Sequence, residues 1–290
     1  MQSVSLSFRS VLLSLAMMLL ITGTGLAQSA TPQPAKKPAP GAKPSAPALQ
    51  LEPNALDILK ATSDKLSAAH TLSFTAVELF EQLTRQGAPL GYTAKYEVTL
   101  QRPDKLRVLK PADGNATSFY YDGKSIMGYS PAENLLAVAD APPTIDATLE
   151  KAYQLAGIYV PFDDVIVANP YSDLAPGLKH AYYVGQSHVV GGTITDIVAY
   201  AGDGVFVQLW VGAEDKLPRL MRAIFLDDPD HLRHELAFTD WKLDETVSAD
   251  TFSPPATAAT AKRIPFAAAR PEPPASTKDP AKAQPGKVKQ

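Results

Sequence analysis

Residues 90–109 constrain the fold more than any other part of this chain, because they alternate strictly between apolar and polar side chains. Successive side chains of a β-strand leave opposite faces, so the alternation predicts a strand with one apolar and one wet face. The apolar set is Leu90, Tyr92, Ala94, Tyr96, Val98 and Leu100. A sheet that is solvated on one side is usually antiparallel. Because Pro103 cannot donate to a strand ladder, we expect an interruption there before the alternation resumes at 105–109.

Helical spacing of apolar residues predicts one helix over 53–69 and another over 144–156, with Gly157 placed to end the second. A short third helix is expected within 160–168, stopped by the pair Asn169–Pro170. Further strands are predicted at 72–80, 117–121, 125–129, 135–139, 181–184, 193–200, 205–211, 219–225 and 234–241. This order predicts an α+β fold: a large, strongly curved and mostly antiparallel sheet with a few helices packed in its concave face.

Residues 1–27 have the composition of a secretory signal peptide. A polar start precedes the apolar run 11–21, and Gly25 and Ala27 are small residues at the two positions that a signal peptidase reads. The apolar run is about half of the ~20 residues that a membrane span needs, so cleavage after Ala27 is favoured over a membrane anchor. We therefore expect export to the periplasm and no membrane span after cleavage.

The segments 28–52 and 257–290 are rich in alanine, proline and lysine and have no hydrophobic period. Such compositions favour extended, solvated chain, so both segments are predicted to be disordered and the domain to span 53–256. Acidic residues outnumber basic ones within 53–256, whereas the flanking segments are basic. An acidic domain argues against nucleic acid as a partner, because phosphate binding needs a basic face.

Cysteine is absent from the sequence, which excludes disulfides, thiolate metal sites and cysteine nucleophiles. No G-x-S-x-G motif occurs. His231 and His234 are three residues apart, but they follow a turn into a predicted strand, where such residues face opposite sides, so we do not expect a metal site there. The acidic pairs Asp163–Asp164 and Asp227–Asp228 lack the ligand spacing of a calcium loop, so we interpret both as solvated turns. We therefore expect a protein that is not an enzyme and that holds neither a metal nor a cofactor.

Several short segments carry a resemblance when their order and spacing are taken together. They are 102–106 (RPDKL), 119–124 (FYYDGK), 208–210 (QLW), 217–219 (LPR) and 240–241 (DW), followed by Phe252 and Pro254–Pro255. With these, 53–256 resembles a family of predicted periplasmic proteins of unknown function, domain of unknown function 2092. That family is related to the lipoprotein carrier LolA and to mycobacterial LppX. The resemblance implies a LolA-like unclosed β-barrel, lined with apolar side chains and lidded by helices.

One departure from the family pattern bears on metal chemistry. A Cys-Asp-His run often stands in the family where this chain has Thr195-Asp196-Ile197. Since neither the cysteine nor the histidine is present, this departure argues against a metal or redox role in this chain.

On this resemblance, we expect a periplasmic protein that holds a hydrophobic ligand, such as a lipid or a lipoprotein acyl chain, inside the open barrel. The candidate cavity-lining residues are Phe74, Tyr92, Tyr96, Val98, Leu100 and Trp210. An apolar sheet face also serves to pack a protein's own helices, and the sequence leaves open whether this face is a cavity wall or a filled core. The alternative function is a regulatory or scaffolding module of the envelope that binds a partner protein.

Overall fold

A computed structural model describes residues 50–111 and 115–267. The expected signal peptide, most of the expected linker and residues 268–290 lie outside the described residues. None of the helices within the described ranges is long and apolar enough to cross a membrane.

The described strands form a single thirteen-stranded sheet with the order β1-β8-β9-β10-β11-β12-β2-β3-β4-β5-β6-β7-β13. The strands are β1 Gln50–Leu51, β2 Thr71–Leu83, β3 Pro89–Gln101, β4 Lys105–Lys110, β5 Thr117–Tyr121, β6 Ser125–Ser130, β7 Leu135–Asp140, β8 Leu178–Ser187, β9 Thr195–Gly202, β10 Val205–Gly212, β11 Pro218–Phe225, β12 Arg233–Leu243 and β13 Lys262–Pro265. Every neighbouring pair is antiparallel except the two edge pairs, β1 with β8 and β13 with β7. The edge strands β1 and β13 do not pair with each other, so the sheet is unclosed. The predicted fold class is therefore confirmed.

Within the described residues, four α-helices accompany the sheet: α1 Pro53–Ala68, α2 Ile145–Ala156, α3 Asp163–Ile166 and α4 Pro170–Leu174. α1 begins with Pro53, whose missing N–H costs nothing in a first turn, and its predicted apolar stripe is buried. The Thr144 side chain accepts a hydrogen bond from the backbone N–H of Ala147 and caps α2. Gly157 ends α2 in the left-handed conformation, as predicted.

The helices differ from the sequence predictions in two places. Within 160–168 only Asp163–Ile166 is helical, and Asn169 begins a further helix instead of only ending one. Its side chain accepts a hydrogen bond from the Ser172 N–H, so Asn169 and Pro170 act as the cap and first residue of α4. On α2 the expected apolar residue Tyr153 is exposed, and Thr148 is buried in the helix stripe instead.

The core lies between the concave face and the helices, and strand register decides which side chains enter it. Phe74 on β2 pairs with Val98 on β3, and Ala76 pairs with both Tyr96 and Phe238, so these side chains share one face. Phe162, from the turn before α3, is fully buried against this face. The ring of Phe162 makes an edge contact with Phe74 at a centroid distance of 5.5 Å. Aromatic rings therefore fill the centre of the concave face.

The ordered domain extends past both predicted boundaries. The backbone N–H of Glu52 bonds to the carbonyl of Ala181, beside the short pairing of β1 with β8. After residue 256, Ala258 packs on the opposite face of the sheet, in a cluster with Tyr120, and β13 pairs with β7. Phe266 then returns to the main core. The predicted boundary at 256 is therefore wrong. Composition could not reveal this, because the segment is held by the backbone pairing of β13 and by one buried aromatic residue, Phe266.

Candidate functional site

Three of the six candidate cavity residues are packed in the core. Phe74, Val98 and Leu100 are 3%, 2% and 0% exposed, in one continuous cluster with Phe162. The centre of the concave face is therefore a filled core, which answers for these residues the question that the sequence left open.

The other three candidates lie in three different environments. Tyr96 lines a cavity and makes an edge contact with Phe162 at 5.4 Å. Tyr92 is on the same face but 46% exposed, stacked on Phe80 beyond the helices. Trp210 lies on the opposite face, because it alternates with the buried residues Leu209 and Val211 of β10. The expectation that Trp210 shares the concave face is therefore wrong.

A buried carboxylate that the sequence interpretation passed over lies beside Tyr96. Glu78 follows Phe74 and Ala76 on the inward face of β2, and it accepts a hydrogen bond from the Tyr96 hydroxyl at 3.0 Å. Burial raises the pKa of Tyr96, and the negative charge of Glu78 raises it further. The phenol therefore stays protonated and keeps donating to Glu78 at physiological pH.

A cavity with largely apolar walls lies elsewhere, between α1 and the strands β9, β10 and β11. Its volume is about 280 Å³. Its apolar lining comes from Leu59, Leu66, Val165, Leu174, Val205, Val207, Leu209 and Met221. The alternating residues 205, 207 and 209 of β10 were the sequence signal for this wall, but hydropathy alone does not show that the space in front of them is left empty.

Polar groups of this cavity are confined to a few positions. Asp164, Asp173 and Asp203 line it from α3, from α4 and from the turn between β9 and β10. Tyr200 of β9 also lines it and is buried. Burial raises the pKa of Tyr200, and the nearby charge of Asp164 raises it further.

A second cavity, of about 430 Å³, is bordered by Phe162. Its walls include Tyr96, Phe119 and Phe266, together with Lys110. The Lys110 ammonium lies 6.0 Å from the centre of the Tyr96 ring, at the limit of a cation–π contact. This second cavity thus carries a basic residue, whereas acidic residues line the cavity under α1.

The two acidic pairs that the sequence analysis interpreted as solvated turns lie in different environments. Asp163 and Asp164 begin α3. Burial raises the pKa of Asp163, and the charge of Asp164 raises it further, to about 6. The interpretation of this pair as a plain solvated turn is therefore wrong. Asp228, by contrast, is a turn residue, whose carboxylate accepts hydrogen bonds from the backbone N–H groups of Asp230 and Leu232.

Asp196, the acidic residue of the segment Thr195-Asp196-Ile197, is held by hydrogen bonds and an ion pair within the fold. Its carboxylate accepts hydrogen bonds from the Tyr183 hydroxyl at 3.2 Å and from the Gln186 side chain at 3.0 Å. It also lies 3.6 Å from the Lys216 ammonium. Across 50–111 and 115–267, no group of three or more His, Cys, Asp or Glu side chains is placed to hold a metal ion.

A family model described as "Predicted periplasmic protein (DUF2092)" matches residues 55–267. Among solved structures, the chain is similar to MucB, with 16% identity and a TM-score of 0.43 over 71% of this chain and 64% of that chain, less than two thirds of MucB. It is similar to LprF from Mycobacterium bovis, with 15% identity and a TM-score of 0.43 over 68% and 97% of the two chains. For a LolA superfamily protein from Nitrosomonas europaea the identity is 13% and the TM-score 0.34, over 69% and 97%. No curated protein matches the chain.

Proposed function

The chain belongs to the DUF2092 family of predicted periplasmic proteins, and we propose that it binds a hydrophobic ligand, a lipid or a lipoprotein acyl chain, between its sheet and its helices. The family assignment confirms the expected periplasmic localisation. The proposed role is that of a binding protein without a catalytic step.

The observation that carries this proposal is the apolar cavity under α1. Close packing normally leaves few voids larger than a water molecule inside a domain. Here an apolar space of about 280 Å³ is bounded by Leu59, Leu66, Val207 and Leu209, which are buried from solvent. Apolar side chains around an unfilled space forgo dispersion contacts, and an alkyl chain would restore them.

The size of the cavity limits the kind of ligand that it can hold. Typical pockets for small molecules have volumes of ~300–1,000 Å³, and this cavity, of about 280 Å³, is close to the lower end of that range. A single alkyl chain suits that volume better than a lipid with two chains held side by side. The second cavity, next to Tyr96 and Phe162, offers separate space, because the two cavities share no lining residue.

A matched pair of substitutions tests whether the cavity under α1 is the binding site. Leu209→Trp should fill the cavity, whereas Gln208→Trp adds the same ring on the opposite face of β10. We expect displacement of a fluorescent fatty-acid probe to be saturable in the wild type and in the Gln208 variant and to weaken at least about tenfold in the Leu209 variant. Thermal melts of all three proteins check that both variants remain folded, since overpacking itself costs ~1–3 kcal/mol.

Native mass spectrometry of protein purified from the periplasm gives an independent measurement. Ligand mass retained by the wild type and lost by the Leu209→Trp variant would support the proposal and allow the ligand to be extracted. If no acyl probe binds the wild type saturably and no ligand is retained, the proposal is wrong.

A second candidate function, binding of a partner protein, rests on a different surface. Towards the turn of the β2–β3 hairpin, the face of β2 opposite Phe74 exposes three large apolar side chains, Val77, Leu79 and Leu83. Clustered exposed apolar groups often mark interaction sites. If this is the functional surface, the double variant Leu79→Ser and Leu83→Ser should abolish in-cell crosslinking to an envelope protein, whereas Leu209→Trp should leave crosslinking unchanged.

A further inference from the structure

The cavity under α1 combines apolar walls with charged side chains that are all acidic. Asp164, Asp173 and Asp203 come from three different elements, and all three are solvent-exposed members of its lining. Neither a lysine, an arginine nor a histidine of the described ranges lines this cavity. None of the three carboxylates forms an ion pair with a described residue, although other acidic residues of the domain do. The cavity therefore presents uncompensated negative charge beside apolar walls.

A buried hydroxyl in the same cavity points independently to a ligand. The Thr62 hydroxyl, on the α1 side of the cavity, is buried without a hydrogen-bond partner among the described residues. Buried hydroxyl groups normally have a partner, because leaving one unsatisfied is costly. Tyr200, which is only 8% exposed, lines the same cavity, and no described residue hydrogen-bonds to its hydroxyl. A ligand with a polar end near Asp164 would supply a hydrogen-bond partner for Tyr200.

We propose that this cavity binds an amphiphile with a single alkyl chain whose polar end is a protonated amine. The alkyl chain lies along Val207 and Leu209, and the ammonium group lies at the acidic residues, next to Asp164 and the Tyr200 hydroxyl. The ammonium N–H donates to the Tyr200 oxygen, and the carboxylates attract its charge. A fatty-acid carboxylate in the same position would meet like charges. This assignment of the ligand's polar end rests on the proposed hydrophobic-ligand function.

Two other cations fit the observations less well. An inorganic metal ion needs several oxygen ligands around one point, and the described acidic residues offer no such group of three. A basic peptide helix needs an open hydrophobic groove along one face, whereas this cavity has a volume of only about 280 Å³.

The test compares probes that share one dodecyl chain and differ only in the polar end: dodecylamine, dodecyltrimethylammonium and dodecanoate. Affinities come from displacement of a neutral fluorescent probe from the full domain at pH 7 and low salt. We expect both cationic probes to bind at least about tenfold more tightly than dodecanoate, with a preference that shrinks as salt screens the carboxylates. Equal or tighter binding of dodecanoate would overturn the assignment, while leaving the hydrophobic-ligand function in place.

Three variants test whether the preference for cationic probes over dodecanoate arises in this cavity. Asp164→Asn should weaken both cationic probes several-fold and leave the dodecanoate affinity unchanged or improved. Tyr200→Phe keeps the ring but removes the acceptor, so it should weaken dodecylamine and spare dodecyltrimethylammonium, which has no N–H to donate. Asp140→Asn removes one exposed charge of β7 outside the cavity lining and serves as the control for overall charge. If Asp140→Asn weakens cation binding as much as Asp164→Asn does, the preference comes from net charge and the assignment is wrong. If none of the probes binds saturably, the proposed function fails and this assignment fails with it.

Discussion

Replacing Phe162 by alanine tests whether the centre of the concave face is a filled core. The ring is fully buried and makes edge contacts with Phe74 at 5.5 Å and with Tyr96 at 5.4 Å. Truncation of a large buried aromatic residue costs ~3–5 kcal/mol, a range that includes the loss of such ring pairs. Because Phe162 also borders the second cavity, the vacated space can merge with that cavity, and we expect a loss in the lower part of the range, ~3–4 kcal/mol.

The free energy of unfolding is measured by urea titration, and the melting temperature Tm from a thermal melt gives an independent check. For a domain of ~150–250 residues, 1 kcal/mol shifts Tm by ~2–4 °C, so Phe162→Ala should lower Tm by ~6–16 °C. The control is Phe225→Ala, since Phe225 is 41% exposed and should lose less than ~1 kcal/mol. A loss below ~1 kcal/mol for Phe162→Ala would refute the filled core and return Phe74 to the candidates for a cavity wall.

Two further predictions concern the C-terminal segment and the pH dependence of stability. Deleting 268–290 should leave Tm unchanged, whereas deleting 257–290 should lower it by several degrees because β13 and the buried Phe266 ring are lost; equal melts for the two truncations would contradict the packing of β13 on β7. The raised pKa of Asp163, about 6, favours the protonated carboxyl in the folded state, so its stabilising effect is complete below the unfolded pKa of ~3.9 and is lost as pH rises through 6. Asp163→Asn should therefore lose less Tm than the wild type between pH 4 and pH 7, and parallel pH profiles of the two proteins would contradict the raised pKa.

The sequence predicted the faces of β3 correctly but not how deeply each residue is buried. Alternation placed Tyr92 and Val98 on the same side, and the register with β2 confirms that they share it. Yet Tyr92 is almost half exposed and Val98 is buried, because Phe162 and the helices cover only part of the strand. Where a helix crosses a strand is a long-range property, and a period of two carries no information about it.

The error at Trp210 has a local cause. Residues 205–211 are apolar at nearly every position, since Phe206 and Trp210 alternate with three valines and a leucine. Period-two reasoning cannot choose a face when both faces are apolar. The structure resolves the choice through the pairing of Leu209 with Val198 and Met221, all of which are buried in the main core.

The strand order and the two edge strands could not be predicted either. β12 pairs with β2, which joins the first and last thirds of the domain, and this contact depends on residues far apart in sequence. Glu78 was passed over for a related reason. A carboxylate on an apolar face contradicts the expected pattern until the Tyr96 hydroxyl that satisfies it is known, and that hydroxyl comes from the neighbouring strand.

The position of the cavity follows from side-chain volume, which hydropathy does not measure. Over β2 and β12, the inward positions carry large rings such as Phe74 and Phe238, and Phe162 fills the space that remains. Over β10, the inward positions carry the smaller chains of Val207 and Leu209, and α1 faces them partly with short side chains such as that of Thr62. Both halves of the face are mostly apolar, but the smaller side chains over β10 leave the space beneath α1 unfilled. A search for binding sites in this family should therefore look for inward strand positions that change from aromatic to small aliphatic residues, and not for the most aromatic strand.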